Sequence, residues 1–181
     1  MANPWDRPPR PIQGDATDSI LYEWIGRNVI HWEHIEWQLA RLYSAFFGKL
    51  DDGALMREYG AGQIFRLRLT ALKRAAESYF MRHCNQYLEA EFDKLCMASE
   101  GFADRRNEVA HGVVVSTRIF HFFAHLPKDT WVLVPPFSEK RNFDDLNIPK
   151  YMYTSRELNV LILNGGRLHE DIDKLLNTII R

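Results

Sequence analysis

Apolar residues recur with helical spacing over four long stretches of this chain. In the first, Leu21, Ile25, Asn28, Trp32, Ile35, Leu39, Leu42 and Phe46 follow one another at alternating intervals of four and three. That spacing places them on a single stripe of an α-helix and predicts a helix over 18–47. Asp15, Thr17 and Asp18 are each suited to cap its start. Gly48 is suited to end it. Val29, Ile30, Trp37, Tyr43 and Phe47 widen the apolar surface beyond the stripe. A helix this long is expected in a bundle, with one face toward the core and a second available to a partner chain.

A connection over 49–63 follows, with a short helix expected over Ala54–Tyr59 and a break at Gly60 and Gly62. The second long helix is predicted over 63–83, burying Phe65, Leu69, Leu72, Ala76, Tyr79 and Phe80. The third is predicted over 86–111. Its stripe, Leu88, Phe92, Leu95, Ser99, Phe102, Arg106 and Val109, puts a guanidinium where an apolar side chain is expected. A charge there is costly unless it is paired or opens into a cleft. Gly101 is a point where this stripe is prone to shift.

From residue 113 the pattern changes period. Val113–Val115, Arg118–Phe123 and Trp131–Val134 are β-branched and aromatic runs around a turn-like stretch, Leu126–Thr130, and read as a β-hairpin. Tyr151–Tyr153 is expected as a short third strand. Thr154-Ser155-Arg156-Glu157 is a capping box opening a last helix over 154–180. Gly165 lies on the apolar face of that helix, which points to close approach of another helix or a local kink. The expected fold is mainly α: an up-down bundle of four long helices, with a small β-rich insertion over about 113–154 before the last one. Residues 1–16 are Pro-rich and are expected as an extended or loosely docked arm, with Trp5 as its anchor, before a single domain over 17–181.

Composition narrows the functional classes. Lys and Arg number 23 against 24 Asp and Glu, giving a net charge of −1. This argues against broad, non-specific nucleic-acid binding, though a local basic groove is compatible with it. The two cysteines, Cys84 and Cys96, have neither disulfide-framework nor zinc spacing and are expected as buried, reduced thiols. No apolar run reaches the length of a membrane span, and the N-terminus lacks a signal-peptide core, so a cytoplasmic location is expected.

The chemistry concentrates at the end of the third helix, in Asp104-Arg105-Arg106-Asn107-Glu108-Val109-Ala110-His111-Gly112. His111 offers a group that titrates near neutrality for proton transfer. Arg106 offers a permanent, planar charge for a phosphorane-like transition state. At about 100° per residue the two lie about 140° apart around the helix, whereas Asn107 and His111 share a face. Asn107 is therefore placed to orient the imidazole. Arg106 reaches the same phosphate only through a distortion near Gly112 or from a second protomer. Arg105 is expected as a solvated neighbour paired with Glu108, itself a candidate second acid or base. The same residues also suit ordinary helix termination, which favours cations in the last turn and Gly beyond it.

Arg106-Asn107-Glu108-Val109-Ala110-His111 fits an Arg-x4-6-His motif with a polar residue after the Arg. With its place near the end of a third long helix, it resembles the signature of the HEPN superfamily over most of residues 18–181. The resemblance implies a metal-independent endoribonuclease with a composite site at a homodimer interface, and Arg106, Asn107 and His111 as its catalytic set. It implies RNA as substrate, no cofactor, and a toxin or defence role in which an antitoxin or other regulatory protein is a partner. Other members of the family are non-catalytic, and the alternative is a HEPN-like dimerisation or partner- or nucleotide-binding module.

Elsewhere, Arg66, Lys73 and Arg74 form either a solvated helix face or a phosphate-attracting rim. His121 and the aromatic residues around it are either a sheet core or a surface for stacking bases. His31 and His34 have metal-like spacing but no identifiable third ligand, so no metal site is expected.

Overall fold

A computed structural model describes residues 3–119 and 123–180. The fold is mainly α-helical, with a two-stranded antiparallel hairpin. Among the described residues there are five α-helices: α1 (Asp18–Phe46), α2 (Gly53–Gly60), α3 (Phe65–His83), α4 (Gln86–His111) and α5 (Ser155–Ile179). The strands β1 (Val113–Ser116) and β2 (Trp131–Val134) and a 3-10 turn over Lys140–Asn142 lie between α4 and α5. Every long helix begins and ends within two residues of its predicted limits, because each apolar stripe was long enough to define its own period. None of the helices among the described residues is long and apolar enough to cross a membrane.

The chain divides into two compact units, Met1–His31 with Asp104–Asn164, and Trp32–Ala103 with Gly165–Arg181. In the first unit the hairpin is buried on both sides. Leu133 packs with Leu21, Val109, Tyr151, Tyr153 and Leu158. Its neighbours Val132 and Val134 pack instead with Val115, Phe123, Leu126 and Met152. Successive strand residues point to opposite faces, so two apolar layers require the unbroken apolar run seen in Val132–Val134. The register pairs Val113 with Val134 and Ser116 with Trp131. Strand β1 stops at Ser116, because Thr117 turns the chain: its hydroxyl donates to the Pro127 carbonyl at 3.0 Å. Arg118 and Ile119 are therefore outside the ladder, and Arg118 pairs with Asp129 across the turn. The Tyr151–Tyr153 segment contributes a single bridge, Tyr153 to Leu133, in place of a full strand.

The N-terminal arm is docked. Trp5 is buried, and the Pro4 carbonyl accepts a hydrogen bond from Asn164 Nδ2 at 3.0 Å. Asp15 exchanges two backbone hydrogen bonds with Trp131, at 2.9 and 2.8 Å. Its carboxylate accepts the Ser155 N–H at 2.7 Å. Asp15 thus caps α5, 140 residues away in sequence, where a negative charge meets the positive end of the helix dipole. One arm of the predicted capping box is formed as well, with Glu157 accepting the Thr154 N–H at 2.8 Å.

In the second unit, Trp32 packs edge-on against Phe65 and Phe102, with ring centroids 4.9 and 5.4 Å apart. Phe46 meets Phe80 and Phe92 in the same T-shaped manner, the geometry preferred by aromatic quadrupoles. Glu36 is buried and takes both ends of the Arg68 guanidinium, at 2.7 and 3.0 Å. The stripe on α4 is buried from Phe92 through Ser99 to Phe102, and the helix runs unbroken through Gly101. A Cβ on Gly166 of α5, the residue after Gly165, would meet nothing within 4 Å.

One expectation about the cysteines is corrected. Cys96 is buried, but Cys84 is exposed, held at a φ of 23° where α3 ends. Burial pushes the Cys96 thiol up to about 12, so it has almost no thiolate at neutral pH. Native protein is expected to yield one thiol to Ellman's reagent at pH 8 and the second only in denaturant. Rapid reaction of both in native buffer contradicts the burial of Cys96.

Candidate functional site

The last two turns of α4 form one wall of a cleft of about 350 Å³ in the first unit. Helical periodicity selects which side chains reach it. Asp104, Asn107, Glu108 and His111 stand at intervals of three and four and all line the cleft. Arg105 lines it too, whereas Arg106 does not. Arg106 is half-buried and donates from Nη1 to Asn107 Oδ1 at 3.2 Å. The guanidiniums that line the cleft with His111 are therefore those of Arg7, Arg105 and Arg141.

The opposite wall comes from sequence-distant segments. The arm supplies Arg7, and the stretch before α5 supplies Glu139, Arg141, Asn142 and Tyr151. The two walls meet at Glu108. Its Oε1 lies 2.7 Å from Arg7 Nη2 and 3.3 Å from Arg105 Nη2. Arg7 Nε also donates to that oxygen, at 2.8 Å. The other oxygen, Oε2, accepts the Tyr153 hydroxyl at 2.6 Å. Arg7 further lies 5.5 Å from the centroid of the Tyr151 ring, a cation–π contact. Burial, and then the adjacent Glu108 charge, raise both phenols, Tyr151 to about 12.

These contacts revise one expected role. The Arg105 side chain is only 12% exposed, so it is not a solvated neighbour, although its predicted pairing with Glu108 is formed. It stays buried because its charge is shared with a carboxylate that is itself 11% exposed. Glu108 is the centre of a network of ion pairs and hydrogen bonds that joins Arg7, Arg105 and Tyr153. His111 and Asn107 are exposed on the cleft.

Arg66, Lys73 and Arg74 are exposed on α3 in the second unit and do not line the cleft, and Lys73 pairs with Glu100 at 3.2 Å. His121 lies outside the described residues. Among the described residues, no group of three His, Cys, Asp or Glu side chains is arranged to hold a metal ion. No local pattern marks Arg7 or Arg141 as site residues, since each sits in an irregular, mixed-polarity segment. Tyr153 carried a faint signal, as one of two tyrosines flanking Met152 just before a helix cap.

Gly112 has a packing role at this corner. A Cβ there would stand 2.6 Å from Leu133 Cδ1 and 3.0 Å from the Glu108 carbonyl oxygen. The residue after His111 is therefore small because β2 and the last turn of α4 press against it. No family model, curated protein or solved structure matches the chain.

Two outcomes are expected. Gly112→Ala lowers stability by about 1–3 kcal/mol, the range for overpacking, measurable as a lower urea midpoint. Tyr153→Phe lowers it by about 1.5–3 kcal/mol, the usual value of a hydrogen bond to a charged group. The raised phenols also set a pH dependence. Above pH 10 the unfolded phenols ionise while the folded ones keep their protons. Their stabilising contribution is complete below pH 10 and declines as pH rises through about 12. The thermal midpoint should fall over that window, less steeply in Tyr153→Phe.

Proposed function

We propose that this chain is a metal-independent endoribonuclease of the HEPN type. The observation that carries the reading is the cleft itself, where His111 and Asn107 share a face of α4 and open toward Arg7, Arg105 and Arg141. Cleavage of RNA by its own 2′-hydroxyl needs a proton taken from that hydroxyl and a proton given to the departing 5′-oxygen. It also needs cations on the non-bridging oxygens as charge builds there. His111 serves as one proton carrier and the arginines as the cations. The products are a 2′,3′-cyclic phosphate and a 5′-hydroxyl.

One imidazole performs one of the two proton transfers at a time, so a second copy of the chain completes the site. In this arrangement the long helices form an up-down bundle, and two bundles meet about a two-fold axis. Arg106, which does not line its own cleft, then serves the partner's His111. The exposed apolar side chains of α1, Tyr22, Ile30 and Trp37, supply apolar surface for such a contact.

A second reading has one observation in its favour. Arg7, Arg105 and Arg141 share this cleft with Asp104, Glu108 and Glu139. That balance suits a non-catalytic HEPN-like module that binds a partner or a nucleotide. The two readings part on activity. Purified protein in EDTA should cleave a mixed RNA pool to cyclic-phosphate ends, and His111→Ala should reduce the rate by about 10²-fold or more. Arg106→Ala should also be inactive. Mixing the two inactive variants should recover about a quarter of the activity, because exchange creates dimers with one intact composite site. Cleavage that persists in His111→Ala rules out the nuclease reading, and failure of the mixture to recover activity rules out the shared site.

A further inference from the structure

We propose that Arg7, carried by the N-terminal arm, is the phosphate-binding residue of the cleft, so that the arm is part of the substrate site. The proposal rests on the reading of this cleft as a site for an RNA phosphodiester. Four observations lead to it. The arm is anchored on either side of Arg7, by buried Trp5 and by the backbone pairing of Asp15 with Trp131. Arg7 is therefore presented by fixed backbone despite lying in a Pro-rich segment. Its guanidinium is oriented twice over, by the two contacts to Glu108 Oε1 at 2.7 and 2.8 Å and by the Tyr151 ring.

The charge count around Glu108 is the third observation. Two guanidiniums, Arg7 and Arg105, share this one carboxylate. Asp104 on the same wall evens the formal count, but it is exposed to water, where its field is screened. The fourth is accessibility. The Arg7 side chain is 38% exposed and that of Arg105 is 12% exposed. Arg7 spends two N–H donors on a single carboxylate oxygen, and the rest of its planar fork remains for a second anion. A phosphodiester is the anion that fits, since its two non-bridging oxygens match a guanidinium fork. Arg141, 83% exposed and paired with Glu139, belongs to the outer rim.

The test uses the full chain and a short single-stranded RNA with methylated 2′-hydroxyls, which binds but offers no nucleophile. Binding is followed by fluorescence anisotropy across a salt series. Arg7→Ala should raise Kd about tenfold or more and reduce the salt slope by about 0.7, the value of one lost contact to a single strand. Arg7→Lys keeps the charge but loses the fork, and should fall between Arg7→Ala and the wild type. A purely structural role in fastening the arm would move the thermal midpoint and leave the salt slope unchanged. An unchanged Kd and slope in Arg7→Ala overturns the proposal, as does wild-type protein that does not bind the RNA. Cleavage lost in His111→Ala, with Kd and KM unaltered in Arg7→Ala, overturns the proposal and leaves the nuclease reading intact. Arg7-dependent binding without any cleavage supports the proposal and removes the nuclease.

Discussion

The carboxylate of Glu108 is the point on which the first unit's architecture turns. It sits in the last turn of α4, and its side chain is only 11% exposed. A buried charge is tolerated only when its partners are close and its hydrogen-bonding capacity is met. Three segments meet that requirement together: the arm through Arg7, α4 itself through Arg105, and the stretch before α5 through Tyr153. Withdrawing any one leaves the carboxylate under-solvated. The network therefore couples the docking of the arm to the end of α4, and both to the wall that faces His111.

Two neighbouring contacts make the same corner rigid. Leu133 of β2 packs so close to Gly112 that only hydrogen fits, so the hairpin is drawn tight against the end of the helix. Asp15 binds Trp131 with its backbone and the start of α5 with its carboxylate. A cap normally comes from the residue just before a helix. Here it comes from the other end of the chain as well, and the start of α5 becomes a tertiary contact. A functional group on such a corner keeps its geometry, which is what proton transfer and phosphate binding both need.

Helical periodicity made most of the secondary structure legible. The stripes from Leu21 to Phe46 and from Phe92 to Val109 are repeated often enough that the 3.6-residue period has one solution. The hairpin was legible in kind and less so in extent. Val113–Val115 and Arg118–Phe123 look alike in composition, but only the first pairs with β2 over the described residues, because the Thr117 turn and its tie to Pro127 intervene. Cys84 could not be assigned correctly from a pattern, since exposure at a helix end depends on where the helix stops.

The candidate site divides along the same line. The sequence by itself determined which side chains share a face of α4: Asn107 with His111, and not Arg106 with His111. That followed from backbone geometry alone, which is local. Only the tertiary structure decided that Arg105 lies in the cleft, that Glu108 is held as a buried ion-pair centre, and that Arg7 stands opposite His111's wall. These depend on contacts between residues as far apart as 101 positions. Coulombic and packing partners at that separation leave no periodic trace in a single chain, because an arginine in a Pro-rich arm has the same local pattern whether it is solvated or docked.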